Sequence, residues 1–175
     1  HPMGMEAADV PMWIVDKIIH QGAEATVTSG SWMGKPAVLK MRNPRGYRTP
    51  QLDRKLTRQR LTVEARALGR LQSYDLIAPS LIDLDLEQGW ILMSKIEGIT
   101  LFDYLNYEDN IKTNKIKFFG IIIRELHEVG ISHGDLTTHN VLIDNNGKLS
   151  LIDFGLAKIF PELEHLGLDL QVLNE

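Results

Sequence analysis

Two short stretches constrain this chain more than any other feature. They are His133-Gly134-Asp135-Leu136-Thr137-Thr138-His139-Asn140 and, shortly after, Leu151-Ile152-Asp153-Phe154-Gly155. Together they hold what phosphoryl transfer to a hydroxyl group demands. That reaction needs little covalent help: an acceptor held in line, divalent metal on the phosphates, and charge neutralised as it spreads over the transferred group. Asp135 can orient or deprotonate the acceptor. Asn140, five positions on, can hold a metal ion from the same loop, and Asp153 can bridge metal to the β- and γ-phosphates. Either stretch alone would pass for an ordinary turn. Their order and spacing, with matching pieces upstream, make coincidence a poor account.

Upstream, Lys40 ends a short strand pattern and can reach the α- and β-phosphates as a point charge. Its flexible stem calls for an acidic partner, and Glu64 is the carboxylate in the interior of the following helical pattern. The turn expected to cover the phosphates is Gln21-Gly22-Ala23-Glu24-Ala25. With Val27 aligned on the valine that closes a Gly-x-Gly-x-x-Gly-x-Val loop, only Gly22 stays in register. Such a turn should be stiff, and Glu24 adds negative charge beside the phosphates. Met93 falls where a side chain screens the back of an adenine pocket, and Ser94 to Ile96 would offer backbone groups to the purine.

The pattern along the chain predicts two halves, 5–94 and 95–175, with residues 1–4 read as a tag remnant. Trp13-Ile14-Val15 and Ala25–Ser29 read as strands flanking a tight turn at Gly22. Ala37–Lys40 follows as a third strand after the turn signal Gly34-Lys35-Pro36. A helix is expected over Leu52–Leu71, with Leu56, Val63, Ala67 and Leu71 on one side. Ser80–Asp85 and Trp90–Met93 complete a small sheet. In the second half, Leu101–Leu105 and Asn114–Glu128 read as helices, the latter closed at Gly130. Val141–Ile143 and Leu149–Ile152 then form a hairpin around Asp144-Asn145-Asn146-Gly147, where Asn-Gly suits a tight turn. The expected class is α+β: a small antiparallel sheet with one helix, then a reduced, mostly helical half.

Charge is segregated along this plan. Residues 1–72 hold 12 Lys+Arg against 6 Asp+Glu, and residues 73–175 hold 7 against 17. Arg42–Arg70 carries nine basic side chains and two acidic ones. This excess can attract a polyanion, nucleotide phosphate or nucleic acid, or simply form a solvated helix face. With no cysteine, disulfides and thiolate metal sites are excluded. No apolar run reaches membrane-spanning length and no signal core opens the chain, so neither membrane nor secretion is expected.

Taken together, these residues resemble the eukaryotic-like protein kinase superfamily, and more closely its small atypical kinases of the KEOPS complex. Carrying the resemblance are Gln21–Ala25, Tyr47-Arg48-x-Pro50 with Leu52-Asp53, Arg60-x-x-x-Glu64-Ala65-Arg66, His133–Asn140, and Leu168-Asp169-Leu170-x-Val172-Leu173. It implies a bilobal kinase fold and an Mg-ATP-dependent Ser/Thr kinase or ATPase. The implied partners are a threonylcarbamoyl-transferase subunit and a small regulatory subunit, serving threonylcarbamoyladenosine modification of tRNA in cytoplasm and nucleus. By resemblance, Lys40, Glu64, Asp135, Asn140 and Asp153 carry ATP and Mg2+, and Asp169 braces the catalytic loop. Arg54, Lys55, Arg58 and Arg60 are candidates for tRNA contact.

Departures from the wider superfamily shape the expectation. Gly134 stands where regulated kinases have the arginine that pairs with a phosphorylated activation segment, so control by that route is not expected. Thr137 replaces a lysine that stabilises the transferred phosphate, which predicts slow turnover. Leu166 stands where the family usually has lysine. The chain carries no Ala-Pro-Glu segment, large helical platform or basic tail after Gly155, so a truncated C-terminus is expected. Competing readings are an aminoglycoside- or choline-type kinase, which shares His-Gly-Asp and the later asparagine, and a catalytically weak scaffold. The complete Asp-Phe-Gly speaks against the first, and the filled lysine and metal positions against the second.

Overall fold

The computed structural model describes residues 10–22, 25–43, 49–73, 78–106, 111–132, 134, 136–153 and 158–159. The chain divides into two compact units, His1–Thr62 with Ser80–Lys95, and Val63–Pro79 with Ile96–Glu175.

The first unit is built on five antiparallel strands: β1 (Trp13–Gln21), β2 (Ala25–Trp32), β3 (Lys35–Arg42), β4 (Leu81–Asp85) and β5 (Trp90–Ser94), in the order β1-β2-β3-β5-β4. Register places Ala37 and Leu39 on one face with Trp90 and Leu92, and these four form a buried cluster. Trp13, Trp32, Met41 and Ile82 pack against it. The turn before β3 differs from the sequence expectation. Met33 and Gly34 both have positive φ, 50° and 78°, while Trp32 pairs with Lys35. A two-residue turn with positive φ at both positions matches strand twist, so Lys35 and Pro36 already belong to the strand. β1, the edge strand among the described residues, is irregular: its register against β2 shifts between Val15 and Lys17 and again between Ile18 and His20.

Helix α1 runs from Pro50 to Ser73, two residues beyond the expected span at each end. Thr49 caps it, its hydroxyl accepting from the Leu52 N–H at 3.1 Å. Pro50 then occupies the first helical position, where a missing N–H costs nothing. Its buried line is Leu61, Glu64, Ala67, Leu68 and Leu71, whereas Leu56 and Val63 are only half-buried. Part of the helix up to Thr62 belongs to the first unit and the rest to the second.

In the second unit, β6 (Ile99–Thr100), α2 (Leu101–Leu105), α3 (Ile111–Glu128), β7 (Ile131–Ser132), β8 (Val141–Ile143), β9 (Leu149–Leu151) and β10 (Lys158–Ile159) follow in order. Thr100 caps α2 through the Asp103 N–H, and α3 starts three residues before the expected Asn114. Arg70 of α1 donates through Nε to the Val129 carbonyl, at the turn that ends α3. The β8–β9 connection falls on the expected Asp144–Gly147 turn, the Gly147 N–H donating to the Asp144 carbonyl at 3.0 Å. Asp144 Oδ1 accepts from the Asn146 and Lys148 N–H groups, both at 2.8 Å, and only Gly147 has positive φ, 77°. That is a three-residue loop closed by a glycine bulge. No helix among the described residues is long and apolar enough to cross a membrane.

Candidate active site

In the first unit, Lys40 stands on β3 opposite Val27 of β2 and Ile91 of β5. Alternation puts these on the sheet face opposite the Trp90–Leu92 cluster, together with Val38 and its partner Met93. Lys40 is only 5% exposed and Met93 equally so. A lysine on an apolar floor, beside a valine and a methionine, suits a flat ring above and phosphate at the ammonium. After Met93 the backbone is already engaged in part. The Ser94 N–H donates to the Ser80 carbonyl at 2.9 Å, the Ser94 hydroxyl accepts from the Ser80 N–H at 2.8 Å, and the Lys95 N–H donates to the Pro36 carbonyl. Ile96, half-buried, follows as irregular backbone.

The turn expected to cover the phosphates begins where β1 ends. Exposed Gln21 pairs with Thr26, and the Gly22 N–H donates to the Ala25 carbonyl at 3.0 Å. A Cβ added at Gly22 would lie 3.0 Å from His20 Nε2, the tip of an exposed side chain that can turn away, and 3.7 Å from the Ala25 carbonyl. Sequence reasoning missed Asn43. This residue follows β3 and bridges the turn's two flanks, accepting from Thr26 Oγ1 at 3.0 Å and donating from Nδ2 to the Gly22 carbonyl at 2.9 Å. Its partners lie 17 and 21 residues away, and no local pattern announces such a contact.

In the second unit, Glu64 is wholly buried on α1. The loop expected to be catalytic is anchored by Leu136, 1% exposed, and tied to α2 at two points. The Phe102 N–H donates to the Thr138 carbonyl at 3.0 Å, and the Phe102 and His139 rings stack with centroids 4.3 Å apart. Gly134 has φ 84°, in the left-handed region that an arginine at this place would enter only with strain.

The hairpin sets the backbone of Asn140 one residue away in register from Asp153. The pairing of Val141 with Leu151 sets Asn140 opposite Ile152, whose N–H donates to the Asn140 carbonyl at 2.9 Å. Asp153 comes next. Its φ is 63°, left-handed backbone that a side-chain-bearing residue adopts rarely and at a cost. An amide oxygen and a carboxylate are hard donors suited to Mg2+, which takes one or two protein ligands and fills its octahedron with substrate phosphates and water. Among the described residues no group of three His, Cys, Asp or Glu is placed to hold a metal ion. Ala23, Glu24, Tyr47, Arg48, His133, Asp135, Phe154, Gly155, Leu166 and Asp169 lie outside the described residues. On α1, Arg54 and Lys55 are exposed, Arg60 is half-buried, and Arg58 is ion-paired with Glu87.

The sequence between residues 13 and 171 matches the family described as "Protein kinase domain". The mouse EKC/KEOPS complex subunit Tp53rkb is 34% identical over 171 residues, covering 91% of this chain and 69% of that protein. The KEOPS complex subunit Bud32 of Pyrococcus abyssi is 37% identical over 167 residues, covering 90% and 74%. A "probable bifunctional tRNA threonylcarbamoyladenosine biosynthesis protein" of Methanothermobacter thermautotrophicus is 35% identical over 171 residues. The chain spans about a third of the length of such bifunctional relatives (31% in this case). The Rio2 kinase of Chaetomium thermophilum, solved as an ADP/Mg2+-phosphoaspartate complex, shares the fold with a TM-score of 0.74 at 19% identity, over 98% of this chain and 57% of that one. This chain therefore belongs to the protein kinase domain family, within the branch that holds the KEOPS/EKC complex subunits.

Proposed function

We propose that the chain is an Mg-ATP-dependent phosphotransferase, a Ser/Thr protein kinase and ATPase, acting as the kinase subunit of a KEOPS complex in threonylcarbamoyladenosine modification of tRNA. One observation supports the chemistry: the hairpin pairs the Asn140 backbone with Ile152, the residue immediately before Asp153, at the end of a loop anchored on α2. In this reading Lys40 neutralises the α- and β-phosphates, with Glu64 as the acidic residue of the nucleotide set. The Ser94 carbonyl and Ile96 N–H recognise adenine, since the N–H groups of Ser94 and Lys95 are engaged elsewhere. Asn140 and Asp153 would hold Mg2+, which supplies positive charge to the transferred group. Asp135 orients the acceptor hydroxyl or water and takes its proton.

The biological role rests on the relatives, which are named as KEOPS subunits or as threonylcarbamoyladenosine biosynthesis proteins. The proposed partners are a threonylcarbamoyl-transferase subunit and a small regulatory subunit, with tRNA meeting the exposed Arg54 and Lys55. ATP turnover by the native chain, alone and with the transferase subunit and tRNA, tests this directly. Turnover should rise with both and fall about 10²-fold or more in Asp135→Ala. High turnover that ignores both additions sinks the KEOPS assignment, and robust phosphorylation of a free aminoglycoside or choline would replace it.

A further inference from the structure

We infer that Asn43 is a positioning residue that locks the two flanks of the phosphate turn to the strand carrying Lys40, an inference that rests on the nucleotide-site reading above. Three hydrogen bonds define the lock: Thr26 Oγ1 to Asn43 Oδ1 at 3.0 Å, Asn43 Nδ2 to the Gly22 carbonyl at 2.9 Å, and Gly22 N–H to the Ala25 carbonyl at 3.0 Å. The chemistry of the partners dictates how the amide is turned. A carbonyl oxygen only accepts, so the NH2 end must face Gly22 and the oxygen must face the Thr26 hydroxyl. Neither end can be reversed without setting two acceptors against each other.

Asn43 is itself held at its base. The preceding Arg42 pairs with Ala25 and gives its N–H to the Gly89 carbonyl at 2.8 Å, which ties the end of β3 to the β4–β5 turn. Lys40 lies three residues earlier on the same strand. The turn and the ammonium group that it must work with are thus fixed to one piece of backbone. Glycine-rich phosphate loops close on their ligand by moving. This turn keeps a single glycine in register and its two flanks, Gly22 and Ala25–Thr26, are cross-braced, so the flanks are held in place before nucleotide arrives. Preorganisation of that kind raises affinity by lowering the ordering cost of binding. The side chain touches no reacting atom, and its effect passes through Gly22.

The test uses the full chain with Asn43→Asp, Asn43→Ala, Thr26→Val and Thr26→Ser. Asn43→Asp is the sharpest probe, since it keeps the shape and the Thr26 contact but turns a carboxylate oxygen towards the Gly22 carbonyl. Two readouts are taken: amide hydrogen exchange at Gly22 and Thr26 without nucleotide, and KM for Mg-ATP against kcat with adenosine affinity alongside. Asn43→Asp should quicken exchange at Gly22 and raise KM about three- to tenfold, the effect of removing one part-buried hydrogen bond. kcat and adenosine affinity should hold, and Thr26→Ser should behave as native. Native exchange and native KM in Asn43→Asp would overturn the inference. So would an equal loss of adenosine affinity, which marks general damage rather than a phosphate-turn effect. If exchange quickens but the native chain itself binds no Mg-ATP, the lock stands and the nucleotide reading falls.

Discussion

Replacing Asp153 by glycine and, separately, by alanine separates a backbone effect from a chemical one at the same position. With φ at 63°, Asp153 sits in left-handed backbone, where a Cβ crowds the following carbonyl at a cost of about 1–2 kcal/mol. Aspartate tolerates this better than most residues because its short polar side chain bonds locally. Alanine has no such compensation. Glycine carries none of the strain but loses about 0.5–1 kcal/mol more chain entropy on folding. In an ordinary helix or strand alanine would be the more stable by that entropy term. Here the order reverses, and the glycine variant should exceed the alanine variant by about 0.5–1 kcal/mol. For a chain of this length that is a Tm higher by about 1–4 °C, readable by calorimetry or by paired urea melts. Both variants lose the carboxylate alike, so ATP turnover should fall in both, by about 10²-fold or more. An alanine variant that melts at or above the glycine variant refutes the strained backbone. Turnover close to native in either variant refutes the role of Asp153 at the metal.

Three further outcomes follow from the same geometry. Lys40→Met should weaken Mg-ATP binding while leaving adenosine affinity near native, because only the phosphates lose their cation; titration with both ligands distinguishes the two. Phe102→Ala removes the ring against His139 and should lower kcat a few-fold with little change in KM for ATP, whereas Phe102→Tyr keeps the stack and the rate. Arg54→Glu combined with Lys55→Glu should reduce the slope of log affinity for tRNA against log salt by about 2, one for each phosphate no longer neutralised, in binding measured across ionic strength. An unchanged slope removes α1 from the tRNA surface.

The features that sequence revealed were those written in consecutive residues. Alternation from Ala25 onward and the helical spacing that ends at Leu71 each announce an element locally, and the ordered stretches around Asn140 and Asp153 carry the proposed site in the same local way. Boundaries moved where a neighbour on the chain changed the local chemistry. Thr49 and Pro50 carry α1 back past Leu52, and Met33, a residue that rarely has positive φ, joins Gly34 in the turn and shifts the strand start to Lys35. The buried line of α1 runs through Leu61 and Leu68 because packing, not periodicity alone, selects which of several apolar stripes faces inward. What sequence could not reveal is side chains reaching across folded distance. Asn43 on Gly22 and Arg70 on Val129 depend on strand order and helix placement, which exist only once the chain has folded.

The irregular edge of the sheet has a consequence for how this protein behaves in concentrated solution. Ile14, Ile18 and Ile19 are 68%, 41% and 48% exposed on β1, a combination that on a straight strand would invite another chain to zip alongside. Asp16 and Ile19 are the residues that the pairing skips, so the outer row of amides and carbonyls is broken twice within nine residues. Deleting Asp16 would straighten the first break and leave a longer unbroken greasy margin. Light scattering should then report self-association of a chain whose catalytic machinery is otherwise untouched.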